Sequence, residues 1–314
     1  MDGLPHAIPL RTTPTIQRTL KAPIDCVGVG LHSGQRTRLV LNPAPAGSGV
    51  VFRRVDLGRT IPARFDHVVD TRLCTVVGLP DEPAVRVATV EHVLAALAGA
   101  GVQNALIEVD GPEVPILDGS AENFLFLIGC AGTVEQDEMA GCIEVRRVVR
   151  VSDGQSYAEL RPAAFGLDLA ISIAFDAAAI GRQALTLRLT PESFRAELAR
   201  ARTFTLAAEV EAMRAAGLAR GGSLENAVVV DGARVLNPSG LRMADEFVRH
   251  KMLDVVGDLA LAGTSLRGRL VAHRPGHALN NRLLRELFAD PANWRLAPAP
   301  AALAAMRPQE AAAA

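Results

Sequence analysis

The sequence has no run of about 18 or more apolar residues free of charge, which excludes a conventional transmembrane helix. This holds although 49% of its residues are hydrophobic. The opening stretch, MDGLPHAIPLRTTPTIQRTLKAP, also lacks the continuous apolar block of a secretory signal, so a cytoplasmic location is expected. Cysteine is scarce: Cys26, Cys74, Cys130 and Cys142 stand far apart and form no C-x-x-C pair. That spacing excludes a disulfide framework and a cysteine zinc cluster, and reduced thiols are expected. Neither sign of charge is in excess, with 33 Lys and Arg against 34 Asp and Glu. So balanced a chain has no overall field to draw in a nucleic-acid backbone, and neither RNA nor DNA is expected as its main partner.

What is present suits two domains, since 314 residues exceed the usual length of one compact unit. Residues 15–66 read as short strands and turns: TIQRTL, then CVGVGLHSGQRTRLVLNPA, then GVVFRRV before a polar connection. In VATVEHVLAALAGAG the period changes, because Val90, Val93, Leu94 and Leu97 fall at helical spacing and Gly99 and Gly101 supply a stop. The strand ALIEVDG and the helix SAENFLFLIGCAG follow, and the charged piece VEQDEMAG offers a boundary near residue 140. The pattern then restarts with the strands CIEVRRVVRV, YAELRP, LDLAISIAFD and ALTLRLT, the helix ESFRAELARA and the strand NAVVVDG. An apolar helix in DEFVRHKMLDVVGDLALAG, the strand RGRLVAHRPG and a helix in ALNNRLLRELFAD complete it. Sheet followed by a His-bearing helix thus occurs twice, which points to a duplicated two-layer unit. The expected divisions are an extension at 1–14, a first domain at 15–140, a second at 141–300 and a loose tail at 301–314.

Positions four apart share one face of a helix, so His250 and Asp254 project side by side and Asp258 continues the row. Taken alone, H-x-x-x-D with Lys251 reads as an ordinary charged helix face. Asp254 and Asp258, however, interrupt the apolar run MLDVVGDLALAG, where a buried carboxylate is costly without a cation or hydrogen-bond partner. Imidazole and carboxylate donors suit zinc, and a catalytic zinc takes three protein ligands with a fourth position for water. Glu91 and His92 head the other His-bearing helix, where His92 is a candidate third ligand and Glu91 a candidate base for an activated water. His277, in the glycine-containing turn HRPGHALNN, is a candidate general acid with Asp258 to orient it, and His273 is its local competitor. His6, His32 and His67 have no comparable carboxylate setting in the sequence.

Six collinear blocks together resemble the UDP-3-O-acyl-N-acetylglucosamine deacetylase family: GVGLHSG (28–34), TVEHVLAALAG (89–99), EVPILDGSA (113–121), RARTF (200–204), DEFVRHKMLDVVGDL (245–259) and GHALNN (276–281). The resemblance spans about residues 15–296. It implies an α+β fold of two similar two-layer sandwich domains, with helices packed at the domain interface and the active site between them. It also implies one zinc ion held by His92, His250 and Asp254, with Glu91 as general base and His277 as the charged acid or transition-state stabiliser. Thr203 would help hold the oxyanion, Asp258 would orient His277, and Cys74 would sit near the metal as a bystander. Lys251, Phe204, Leu31 and Leu206 would contact the substrate, an acylated UDP-N-acetylglucosamine, and the chain would act as a monomer in lipid A synthesis. The segment 205–230 resembles an acyl-passage insert and reads as an amphipathic helix followed by a glycine turn. Two other readings stand beside this one: a non-catalytic sugar-nucleotide or RNA-binding protein, and a deacetylase of a different N-acetylated sugar.

Overall fold

Residues 15–298 are described by a computed structural model; the expected N-terminal extension at 1–14 and tail at 301–314 lie outside the described residues. Alternation of apolar and polar side chains drives the early chain into strands. They are β1 (Ile16–Leu20), β2 (Ile24–Val29), β3 (Arg36–Pro43), β4 (Val50–Arg54) and β5 (Arg59–Pro62), then β6 (Val68–Asp70), β7 (Val76–Leu79) and β8 (Glu82–Val87). In β3 the alternation is plain: Thr37, Leu39 and Leu41 are buried while their neighbours face outward. Helix α1 (Glu91–Gly99), strand β9 (Ala105–Val109), helix α2 (Glu122–Ala131) and strand β10 (Thr133–Met139) close this half.

Five of these strands form one sheet in the order β2-β3-β9-β4-β5, antiparallel except where β4 runs parallel to β9. A parallel neighbour needs a crossover, and α1 lies within it, so one face of the sheet is covered by helix. The strands β6, β7 and β8 make a separate three-stranded sheet that packs on β4 and β5. The charged segment VEQDEMAG, expected to offer a boundary near residue 140, forms most of strand β10, which pairs with β1 and returns the chain to its start.

The second half begins with β11 (Gly141–Val145), β12 (Val149–Asp153), β13 (Ser156–Arg161), β14 (Leu167–Ala174) and β15 (Arg182–Leu189). A short turn α3 (Pro191–Ser193) runs into a π-helical stretch at Phe194–Leu198, where a regular helix was expected. Next come β16 (Phe204–Leu206), α4 (Ala207–Ala215), β17 (Val228–Asp231) and β18 (Arg234–Val235). They are followed by α5 (Glu246–Ala260), β19 (Ser265–His273), α6 (His277–Ala289) and β20 (Trp294–Pro298). Strand β19 is the centre of a seven-stranded sheet: one edge pairs first with β11 and then with β13, and the other with β14. Gly268 sits at the change of partner, where a Cβ would fall 2.9 Å from Val145 Cγ2 and 3.0 Å from the Arg161 carbonyl.

The order helix, strand, helix therefore recurs, as α1-β9-α2 and as α5-β19-α6, each set on its own sheet. The fold is α+β, and the two sets meet where α1 packs on α5. Leu94, Leu97, Phe247, Met252 and Leu253 are among the side chains fully withdrawn from water in this core. Each such burial contributes about 1.5–3 kcal/mol. Gly257 permits the approach, because a Cβ there would lie 2.0 Å from the Glu91 carbonyl oxygen. Gly257→Ala should therefore push the two helices apart and cost at least about 1–3 kcal/mol. Denaturant unfolding of the purified variant measures this, and an unchanged midpoint would show the contact to be slack.

Candidate functional site

Helix α1 is entered through a strained residue. Thr89 is β-branched yet has φ 57°, and its hydroxyl donates to Glu113 Oε1 at 2.8 Å. Such a conformation costs about 1–3 kcal/mol and persists only where its surroundings impose it. Glu113 imposes it: this buried carboxylate also accepts the backbone N–H groups of His32 (2.9 Å) and Ser33 (2.7 Å). The result is a helix whose first two residues, Glu91 and His92, point toward α5 with almost no exposure.

From α5 come His250 and Asp254, one turn apart and both buried. Asp254 Oδ1 lies 3.2 Å from His250 Nε2 and 3.6 Å from His92 Nε2, and the His92 and His250 rings meet edge to face at 5.1 Å. His250 turns its Nδ1 to the Ala201 carbonyl at 3.0 Å, which fixes the N–H there and leaves Nε2 with a bare lone pair. Burial lowers the His250 pKa to about 4, so the ring is neutral at ordinary pH. Burial would raise the Asp254 carboxyl, but His250 and Lys251 outweigh it and hold it well below the usual range. Its Oδ2 accepts Lys251 Nζ at 2.9 Å, while Oδ1 is buried without a hydrogen-bond donor. A buried carboxylate oxygen without a donor, set between two imidazoles, has the chemistry of a cation ligand. His92, His250 and Asp254 can therefore hold a metal ion, their donor atoms lying within 4.8 Å of one another.

Beside this triad stand two further buried titratable groups, Glu91 and His277. His277 begins α6, with Nδ1 2.9 Å from Asp258 Oδ2 and Nε2 3.9 Å from Glu91 Oε1. Burial alone would lower its pKa, but Asp258 and Glu91 raise it to about 9, which keeps it an imidazolium. Glu91 shifts up, because burial disfavours its charge more than His277 and His92 favour it. Asp258 is held by three donors: the hydroxyl of Thr75 at 2.6 Å, His277 and the amide of Asn280 at 2.8 Å.

All of this opens into a cavity of about 400 Å³. Glu91, His92, Thr203, Phe204, His250, Lys251, Asp254, His277 and Leu31 line it, and Asp258 stands behind His277. Leu206 does not reach it and packs against the core; Val210 and Met213 on α4 form that wall instead. Lys251 Nζ lies 5.5 Å above the Phe204 ring. Cys74 is buried, and burial with the Glu91 charge pushes its thiol up, so it stays protonated. His273 is not part of the cavity wall and pairs with Ser172 on the outer sheet.

Four contributors have no role assigned by the sequence reading, although His32, Arg202 and Asn280 lie within its quoted blocks. His32, passed over for want of a neighbouring carboxylate, lines the cavity with both ring nitrogens unpartnered and Glu113 beneath its backbone. Thr75, Asn280 and Arg202 act through contacts from distant elements, and spacing carries no trace of them.

The chain matches the family described as UDP-3-O-acyl N-acetylglycosamine deacetylase over residues 17–289. It is 50% identical to the UDP-3-O-acyl-N-acetylglucosamine deacetylase of Idiomarina loihiensis over 88% of this chain and 91% of that protein. It is 50% identical to the protein of the same name from Anaeromyxobacter sp. over 89% of this chain and 91% of that protein. With the one from Myxococcus xanthus it shares 48% over 90% of each.

His92→Ala, His250→Ala and Asp254→Ala should each lower the metal content of the purified protein, since a three-ligand site loses affinity when any donor is removed. Elemental analysis reads the outcome, and full occupancy in a variant would remove that residue from the site.

Proposed function

We propose, from the premise that this chain belongs to the UDP-3-O-acyl N-acetylglycosamine deacetylase family, that it hydrolyses the N-acetyl group of UDP-3-O-(3-hydroxyacyl)-N-acetylglucosamine. The products are acetate and UDP-3-O-(3-hydroxyacyl)-glucosamine, and the step serves lipid A synthesis in the cytoplasm. Among the described residues no helix is long and apolar enough to cross a membrane. We place the division between the two halves near residue 140, where β10 ends and β11 enters the other sheet, with 205–230 as an insert in the second.

The observation that carries this reading is the meeting, in one cavity, of a bare His-His-Asp set with a buried carboxylic base and a charged imidazole. His92, His250 and Asp254 would hold one zinc ion, the metal that two imidazoles and a carboxylate suit. When bound, zinc supplies Lewis acidity to the acetamide carbonyl and to a water.

The remaining chemistry belongs to side chains. Glu91 takes the proton from the attacking water, and its raised pKa makes it a stronger base than an exposed glutamate. The hydroxyl of Thr203, which lines the same cavity as His250, donates to the developing oxyanion. His277 is already protonated and adds positive charge opposite Glu91. The amine leaves with a proton from this pair, Glu91 or His277. Lys251 and Phe204 position the sugar nucleotide and Leu31 packs on it. The acyl chain runs along Val210, Met213, Leu224 and Val229, which give that side of the cavity an apolar surface.

Acetate release from the acylated substrate by the zinc-loaded protein tests the reading directly. Glu91→Gln should keep the metal and lose roughly 10²–10⁴-fold in kcat, because the amide preserves shape and removes the base. Wild-type turnover in that variant would end the assignment.

Removing the fatty acyl chain should lower kcat/KM by roughly a hundredfold or more, since each enclosed methylene contributes about 0.8 kcal/mol. Part of that energy aligns the acetamide, so kcat should fall as well. Equal efficiency on acylated and unacylated UDP-N-acetylglucosamine would favour a general sugar deacetylase.

A further inference from the structure

The structure assigns Thr75 the role of a positioning residue that fixes Glu91 and His277 relative to one another, by holding Glu91 through its backbone and Asp258 through its hydroxyl. This rests on the deacetylase reading given above.

Thr75 precedes β7 in the turn Leu73-Cys74-Thr75, where Leu73 has φ 67°, and it is only 2% exposed. Its three polar atoms are all engaged, two at the head of α1 and one on α5. The N–H donates to Glu91 Oε2 at 3.1 Å, the carbonyl accepts the Val90 N–H at 3.3 Å, and the hydroxyl donates to Asp258 Oδ1 at 2.6 Å. The short hydroxyl contact is the charge-assisted kind that a carboxylate anion accepts.

The consequence is a division of oxygens. With Oε2 of Glu91 taken by the Thr75 amide, Oε1 is the atom left to accept a proton, and it is the one facing His277 Nε2 at 3.9 Å. With Oδ1 of Asp258 taken by the Thr75 hydroxyl, His277 Nδ1 and the Asn280 amide share Oδ2. The imidazole is thereby held at one angle, with Nε2 turned to the cavity. No other described residue is hydrogen-bonded both to Glu91 and to Asp258. Glu91 rides on α1 and Asp258 on α5, so Thr75 also ties together the two helices that supply the reacting groups. The small sheet β6-β7-β8 acquires a purpose from this, since it carries the turn that delivers Thr75.

Thr75→Val keeps the backbone contacts and the volume and removes the hydroxyl donor. Assayed in the full zinc-loaded chain with acylated substrate, it should lower kcat about 10- to 100-fold, as removal of an outer orienting group does. KM should stay within about twofold and zinc content should not change. The alkaline limb of the pH-rate profile should move up, because Asp258 with one donor fewer presents more charge to His277. Thr75→Ser should restore kcat and the limb. Wild-type kcat and profile in Thr75→Val would overturn the assignment, as would an equal loss in Thr75→Ser, which would point to packing by the methyl group. If the valine chain does not fold, Thr75→Ala is read by the same criteria. Should wild type release no acetate, the deacetylase reading fails; an unmoved His277 imidazole titration, followed by nitrogen NMR in Thr75→Val, would then overturn the assignment independently.

Discussion

The close crossing of α1 and α5 is the constraint on which the site depends. Gly257 lies against the backbone of Glu91 with no room for a methyl group. At that separation His92 from one helix and His250 and Asp254 from the other bring their donor atoms within 4.8 Å, although some 160 residues divide them in sequence. A bulkier residue at this crossing would spread the donors over a distance that no single ion spans. The large apolar side chains around the crossing hold the two helices at this distance, so packing energy becomes the precision of a polar site.

Holding charge at such a crossing has a cost, which each half offsets with a buried glutamate. On α5 the residues Glu246, His250, Asp254 and Asp258 form a buried row at intervals of one turn. Glu246, fully enclosed, accepts the Arg202 side chain through both oxygens as well as the N–H groups of Arg202 and Arg242. Removing one partner of such a pair costs about 3–5 kcal/mol, so the loop at 200–203 is firmly tied to the base of the helix. That loop supplies the carbonyl that orients His250 and the hydroxyl of Thr203. In the first half Glu113 does comparable work without a cation, gathering two backbone amides and the hydroxyl of the strained Thr89. Each helix that lines the cavity at the crossing is thus aimed by a carboxylate that does not itself line it.

Much of this was legible in the sequence, and particular residues show why. Carboxylates at 254 and 258 inside an apolar helix demand partners, and the structure supplies them. Helical periods gave α1, α2, α5 and α6 to within a few residues, with a glycine after all but the last. The strands β6, β7 and β8 were not read, since their short, polar-flanked runs carry little alternation. The segment VEQDEMAG looked like a boundary because its charges are exposed on both faces of an edge strand, whose pairing with β1 is made by the backbone. The π-helical stretch at Phe194–Leu198 has no sequence signature distinct from an α-helix. Leu206 was expected to contact the substrate as part of the 205–230 segment. It lies instead at the end of β16, before α4 begins, and faces the core.

The two crossing helices resemble each other in setting but contribute unequally, and the inequality follows from where along each helix the polar residues fall. Glu91 and His92 occupy the first turn of α1, where free backbone amides and the positive end of the dipole ease a negative charge. Beyond them Val93 to Leu97 form a wholly apolar segment, so α1 can offer polar groups only at its tip. On α5 His250, Asp254 and Asp258 lie beyond the first turn, where backbone groups are already paired; Asp254 takes Lys251 from its own helix, and the other two find partners from other elements. Ala201, Thr75, Asn280 and His277 are those partners, drawn from three separate stretches of the chain. A helix tip converging on a helix middle leaves one open side, which the cavity fills. Had both helices presented their tips, their like-signed dipole ends would have met; had both presented their middles, no open side would have remained for a substrate.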